Sequence, residues 1–256
     1  MKSIKHKLLD HLAPSTVMHL KALDHYFNGE PELRLLKTLV DPKRPAIDAG
    51  ANIGTYSYFL RKYAAEVFAY EPNPDLAAAL RQAMPTVKVR QVALSDKPAE
   101  LMFSVPVDEA GRPSHELGSV AQAFSGQVRQ FPVQCITIDS EALGDVGFIK
   151  IDVEQHEREV LRGGLATIER CRPVILIEVY PLKYDKPIQE EFSFVLDKGY
   201  CAWFWFSGAW VPMDSFQPDI HAAPQNFGQK DGFMGNNLII FPREHPLAQV
   251  GPLGRH

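Results

Sequence analysis

Paired cysteines, a long apolar run and an excess of positive charge are all missing from this chain, and each absence narrows what it can be. The three cysteines, Cys135, Cys171 and Cys201, are odd in number, widely spaced and without a CxxC pair. That argues against both a disulfide framework and a zinc site, so no metal is assigned, and makes a reducing, cytoplasmic setting the default. The start, Met1-Lys-Ser-Ile-Lys-His-Lys, leads into nothing like the roughly 7–15 uninterrupted apolar residues of an export signal. No later stretch is suited to spanning a bilayer. Lys plus Arg total 27 against 31 for Asp plus Glu, and 27 − 31 gives a net charge of −4, so general nucleic-acid binding is disfavoured. What remains is ordinary: 45% hydrophobic and 23% charged residues over 256 positions describe one globular domain with decorations.

The hydrophobic period organises the chain. Residues 1–44 read as a helical extension, with Leu8, Leu9 and Leu12 on one face and Leu33, Leu35, Leu36 and Leu39 on another. From Pro45 the pattern becomes strand, tight turn, helix: a short apolar run ends at Gly50, and helical spacing follows through Leu60. A second strand, Glu66 to Glu71, is stopped by Pro72; a helix covers Asp75 to Met84, and a third strand runs from about Val87 to Leu94. Strands joined by helix-length connections lie parallel, so the fold class is α/β with a doubly wound sheet. A strand at Leu101–Val105 and another at Val133–Ile138 flank a polar stretch, Asp108–Gln130, whose length and poor apolar content suggest a mobile lid over one side of a ligand pocket. Alternation resumes with Phe148–Val153, a helix from His156 to Arg162, and the apolar strand Pro173–Val179. A helix at Ile188–Lys198, a strand at Tyr200–Phe206 and a last strand at Asn236–Phe241 close a domain spanning residues 45–242, and 243–256 read as a loose tail. The aromatic run Trp203–Phe206 suits core or, alternatively, a platform for a sugar; His115 and Ser119 read as solvated loop residues.

In open α/β sheets, ligands collect outside the carboxyl ends of the strands, where Asp48, Gly50, Asn52 and Gly54 shape the first turn. The dinucleotide fingerprint needs glycine where Asn52 stands, and an acid at position 48 is unwelcome beside a pyrophosphate, so a nicotinamide dehydrogenase is the less favoured reading. S-adenosylmethionine fits better, because its sulfonium and ammonium groups suit an acidic wall. The bland alternative is that Asp48 and Asn52 cap the helix. Glu71 weakens that alternative: it ends the second strand 21 residues after Gly50, where an acid accepts hydrogen bonds from ribose hydroxyls. Ser95 and Asp96 end the third strand, next in line toward an adenine, though a simple turn explains them equally.

Lys150 and Asp152 break an apolar parallel strand on one face, two residues apart, and burying such charges is costly without a purpose. Glu154 and His156 follow in the loop entering the next helix as candidate proton acceptors; His156 is slightly preferred for its ordinary pKa of about 6.5. Glu178 adds an acid near the end of its own strand.

Together Ile47-Asp-Ala-Gly-Ala-Asn-Ile-Gly54, Ala69-Tyr-Glu-Pro-Asn-Pro74, Val92-Ala-Leu-Ser-Asp96, Thr137-Ile-Asp139, Phe148-Ile-Lys-Ile-Asp-Val-Glu154 and Ile177-Glu178 resemble the FkbM-type methyltransferases, from about Asn28 to Phe241. The resemblance implies a class I methyltransferase sheet of seven strands with the last antiparallel. It implies S-adenosylmethionine as cofactor, with roles for Asp48, Gly50, Gly54, Glu71 and Asp96. Asn52, Asn73, Ser95 and Asp152 join them on the cofactor side, and His156, Glu154, Lys150 and Glu178 are the catalytic candidates. The implied activity is O-methylation of a sugar, glycan or natural-product hydroxyl; a non-catalytic cofactor-binding module is the alternative. One departure stands out: Gln155 occupies a position where the family pattern usually has glycine.

Overall fold

The computed structural model describes residues 14–29, 31–108, 113–114, 118–122, 124–221 and 237–252. Eleven strands occur among them: β1 Ala46–Ala49, β2 Val67–Tyr70, β3 Lys88–Arg90, β4 Ala93–Leu94, β5 Ala99–Pro106, β6 Val128–Ile136, β7 Phe148–Ile151, β8 Val174–Glu178, β9 Tyr200–Phe206, β10 Ala209–Pro212 and β11 Asn237–Pro242. The main sheet has the order β10-β9-β11-β8-β7-β1-β2-β3, and β4-β6-β5 form a second, smaller sheet. Strands β3, β2, β1, β7 and β8 run parallel, whereas β11 lies antiparallel between β8 and β9. This is the doubly wound α/β sheet with an antiparallel closing strand that the motifs imply.

The central strands are apolar on both faces because helices cover both. Alternate residues divide between two core layers: Ile47, Ile149 and Ile175 face Val160, Leu161 and Ile168. Ala46, Phe148 and Val174 face Phe59, Leu60 and Leu36 on the other side. Leu33, Leu35, Leu36 and Leu39 are all buried in that second layer beneath the helix Pro14–Asn28, while Leu8, Leu9 and Leu12 lie outside the described residues.

Several expectations are corrected. The main sheet has eight strands among the described residues, not seven, because β9 turns back into β10 through Ser207-Gly208, both at positive φ (49° and 79°). Two such residues between paired positions make the tight hairpin turn that matches strand twist. The expected third strand is two: β3 joins the main sheet, and the chain then leaves it so that β4 pairs with β6. The helix expected over 188–198 is two single turns, Ile188–Glu191 and Ser193–Leu196. The polar insert is shorter than expected, since β6 already begins at Val128.

Residues 243–252 are not loose. Arg172 donates to both carboxylate oxygens of Glu244 (2.7 and 2.9 Å), and Trp203 Nε1 donates to the Ala248 carbonyl, with Leu247 and Ala248 buried. Among the described residues no helix is long and apolar enough to cross a membrane.

The helix Glu157–Gly163 crosses the second sheet at Gly163, where an added Cβ would stand 1.9 Å from the Ser95 carbonyl oxygen. A backbone atom cannot swing aside as a side-chain tip can, so Gly163→Ala should destabilise the protein by about 1–3 kcal/mol or more. Urea unfolding of both proteins, compared at their midpoints, checks this.

Candidate active site

The carboxyl ends of β1, β2 and β7 open into a cleft of two chambers that share Gly50, Asn52 and Asp152. The first encloses about 560 Å³ counting its open mouth, with Tyr70, Glu71, Glu154 and His156 as its other ionisable lining and Leu94, Phe103 and Val120 as an apolar wall. The second encloses about 740 Å³ on the same basis, beside Asp48, Lys150, Thr55 and Tyr56.

Gly50 is demanded by packing. Its φ is +77°, and a Cβ there would lie 1.8 Å from the Asp152 carbonyl oxygen, so the turns after β1 and β7 touch backbone to backbone. Gly54 caps the following helix in the left-handed conformation and packs against Leu80, Met84 and Met18, away from both chambers. Asn73 is likewise a cap: its side-chain oxygen accepts from the Asp75 and Leu76 N–H groups of the next helix.

Three charges sit side by side at the base of the cleft. Asp48 pairs in register with Lys150, whose ammonium lies 3.6 Å from Asp152 and 4.7 Å from the centre of the Tyr56 ring. Ser57, one helical residue on, donates a 2.6 Å hydrogen bond to Asp48. Burial nevertheless raises the Asp48 pKa to about 6; the Ser57 hydroxyl and the Lys150 charge pull it back only in part. Tyr56 and Ser57 were not anticipated. Nothing in the motif reveals them, because only the start of the helix decides which of its residues point back at the strand.

Glu71 is buried, with one oxygen accepting the Asn52 N–H (2.7 Å) and the other the Asn73 N–H (2.8 Å). Burial raises its pKa to about 7 against those two lowering bonds. Each carboxylate oxygen keeps a lone pair for a further donor.

Glu154 and His156 part company. The His156 ring bonds Ser95 through Nε2 (2.9 Å) and its Nδ1 lies 3.7 Å from Glu159, which holds it against the end of β4. Burial lowers its pKa. Ser95 is buried and Asp96 exposed at the rim, and neither lines a chamber. Glu154 lines the first chamber, and its pKa rises to about 7 through burial first and then Asp152 and Glu157 nearby. Glu178 accepts a 3.0 Å hydrogen bond from Tyr180, whose own ionisation is suppressed by burial and by Glu178, Glu154 and Asp152. Among the described residues no three His, Cys, Asp or Glu side chains are grouped to hold a metal ion.

The insert is latched where it is described. Ser119, read from sequence as solvated, is buried and donates a 2.6 Å hydrogen bond to the Glu154 carbonyl while accepting from the Ala121 and Gln122 N–H groups. Its backbone pairs with Ser104 on β5, so Val120 is held as chamber wall. His115 lies outside the described residues.

The family model for the methyltransferase FkbM domain matches residues 48–200, more than half of the chain. The chain belongs to the FkbM methyltransferase family. It is 30% identical over 157 residues to the hexuronic acid methyltransferase AglP of Haloferax volcanii, covering 58% of this chain and 62% of that protein. The chain thus spans less than two thirds of the curated relative's length. The crystal structure of methyltransferase FkbM from Methylobacillus flagellatus KT superposes with a TM-score of 0.52 at 14% identity, covering 92% of this chain and 57% of that one, and has the same fold.

Against the FkbM pattern, Gln155 takes on physical meaning: it sits at φ +73°, directly after Glu154 at +52°. Left-handed backbone costs a residue with a Cβ about 1–2 kcal/mol. Gln155→Gly should therefore raise stability by about 0.5–1 kcal/mol, net of glycine's greater unfolded-state entropy, as read from the denaturation midpoint. The buried acids also make a pH prediction. Between the ordinary carboxyl values of 3.8 to 4.5 and the raised values of about 6 to 7, folded Asp48, Glu71 and Glu154 hold protons that the unfolded chain has lost. The folded state binds more protons in that window, so their contribution to stability is lost as pH rises through it. Thermal melts of the ligand-free protein from about pH 5 to 8 should show the decline, and Glu71→Gln should flatten it.

Proposed function

We propose that the chain is an S-adenosylmethionine-dependent O-methyltransferase whose acceptor is a hydroxyl of a sugar or glycan. The observation that carries this reading is the two-chambered cleft with Asp152 on its shared wall, Glu71 and Glu154 in one chamber and Asp48 in the other, in a member of the FkbM family. Similarity to a hexuronic acid methyltransferase supports a sugar as the acceptor class.

The lining suits the cofactor. Asn52 Oδ1 and Thr55 Oγ1 are buried without a hydrogen-bond partner beside the second chamber, as a polar aminocarboxyl end would need. In this reading Glu71 takes the ribose hydroxyls on its remaining lone pairs, and Asp48 and Asp152 face the cationic groups. Ser95, Asp96 and His156 lie on the adenine side. Gly50 and Gly54 shape the turn, and Asn73 fixes Glu71 through its N–H. S-adenosylmethionine, when bound, supplies an electrophilic methyl group.

The chain supplies alignment, exclusion of water and a proton acceptor. Glu154 and His156 both line the first chamber, but Glu154 is the better base, reversing the preference drawn from sequence, because Ser95 and Glu159 already engage the His156 ring whereas Glu154 has a pKa near neutrality. Lys150 offsets the charge of Asp48 and Asp152, and Glu178 extends the acidic edge toward the acceptor.

Incubation with S-adenosylmethionine and a panel of glycosides, with mass detection of methylated product and S-adenosylhomocysteine, tests the reading; cofactor binding without turnover on any hydroxylated acceptor would favour a non-catalytic module. Glu154→Gln should lower turnover roughly 100- to 10,000-fold at unchanged S-adenosylhomocysteine affinity. Glu71→Ala should weaken that affinity about ten- to a hundred-fold in calorimetric titration, with circular dichroism confirming the fold.

A further inference from the structure

Beyond the cleft, the row of residues at the carboxyl edge continues across the sheet. Asp152 follows β7, Glu178 ends β8, and Asn237 stands opposite Glu178 at the start of β11. One register step beyond the Leu238–Phe204 pair, the row reaches Trp205 on β9, and Trp205 pairs with Trp210 on β10. Cross-strand partners share a face, so Glu178, Asn237, Trp205 and Trp210 lie on one side of the sheet. The two indoles meet edge to face with centroids 5.4 Å apart. At a strand spacing of about 4.8 Å, Asn237 lies roughly 10 Å from Asp152, and Trp210 about as far again.

Among the described residues, two atoms in this row lack partners. Asn237 Oδ1, in a residue only 2% exposed, accepts no hydrogen bond, and Trp210 Nε1 is buried and donates none. One is an acceptor and the other a donor. Buried polar atoms left so are costly, and a ligand that offers both a donor and an acceptor relieves both. A hydroxyl does so, and a polyhydroxylated ring does so at several points along the row.

We propose that Glu178, Asn237 and Trp210 form a sugar subsite that seats the acceptor's pyranose ring beside the cleft, with Asn237 Oδ1 accepting from one hydroxyl and Trp210 Nε1 donating to another. The proposal rests on the methyl-transfer reading and names the acceptor side of that site. Glu178 contributes a further acceptor, held in place by Tyr180. Trp210, on the edge strand, donates from the edge of its indole.

The three tryptophans of the chain, Trp203, Trp205 and Trp210, all lie on β9 and β10, so their emission reports on this region directly. With S-adenosylhomocysteine bound, the full chain is titrated with methyl β-D-glucopyranoside and methyl β-D-glucopyranosiduronate, followed by fluorescence and calorimetry. At least one should bind saturably and change the emission. Asn237→Ala and Trp210→Phe, which removes the indole N–H and keeps an aromatic ring, should each weaken that binding about ten-fold or more by calorimetry and leave S-adenosylhomocysteine affinity unchanged. Should Asn237→Ala fail to fold, Asn237→Asp, which retains an acceptor, should keep the binding that Trp210→Phe loses. Wild-type sugar affinity in folded variants, or no sugar binding to wild type loaded with S-adenosylhomocysteine, overturns the subsite. A wild-type chain that binds no S-adenosylhomocysteine overturns the methyl-transfer reading on which it rests.

Discussion

The side chain of Lys150 is 1% exposed and its neighbours are two carboxylates, which is tolerable only if the three charges are held together by the backbone rather than by chance rotamers. Parallel pairing of β1 with β7 does this, because it sets Asp48 and Lys150 at the same level on one face and brings Asp152 two residues further along. Everything around the cleft follows from keeping that arrangement. The turn after β1 must pass against the Asp152 carbonyl, which leaves room for glycine alone at position 50. The helix that follows must return Ser57 to Asp48 and the Tyr56 ring to Lys150. The result is a desolvated wall with fixed dipoles, the kind of preorganised surface on which charge can be handled without reorganising solvent.

The second sheet gives that wall a counterpart. By leaving the main sheet after β3, the chain builds β4, β5 and β6 as a separate ribbon whose side chains Leu94 and Phe103 close the first chamber. Ser119 then joins the ribbon's insert to the loop after β7 through the Glu154 carbonyl. Glu154 and Gln155 both sit at positive φ, so the loop is strained where it is latched. Strain of this kind persists only where surrounding contacts over-determine the backbone, and a hydroxyl anchored by two N–H groups is such a contact.

Much of this was legible in the amino-acid order. Apolar runs bounded by Gly50, Pro72 and Pro173 expose β1, β2 and β8, and the charges at Lys150 and Asp152 stand out because they interrupt such a run. Glu71 at a strand end is legible for the same reason. Other features depend on contacts between distant segments. The break between β3 and β4 is invisible because Val92 keeps the apolar period while the partner strand changes from β2 to β6. Ser119 reads as a loop residue until the Glu154 carbonyl is beside it, and His156 reads as a free base until Ser95 is. The Ser207-Gly208 turn carried a usable signal, a two-residue hairpin pair between aromatic strands, which the strong apolar character of β9 concealed.

The position of β11 has a consequence for how the molecule is made. It is the last strand in the described chain, yet it lies inside the sheet, hydrogen-bonded to β8 on one side and β9 on the other. Until residues 237–242 have left the ribosome, β8 has an open edge and β9 with β10 has no sheet to join. The nascent chain therefore carries two unsatisfied strand edges rich in Ile, Leu, Phe and Trp, the sort of surface that pairs with other chains and draws chaperones. Completion of the sheet must come as one late, long-range closure, so folding waits for the end of synthesis of this domain rather than keeping pace with it.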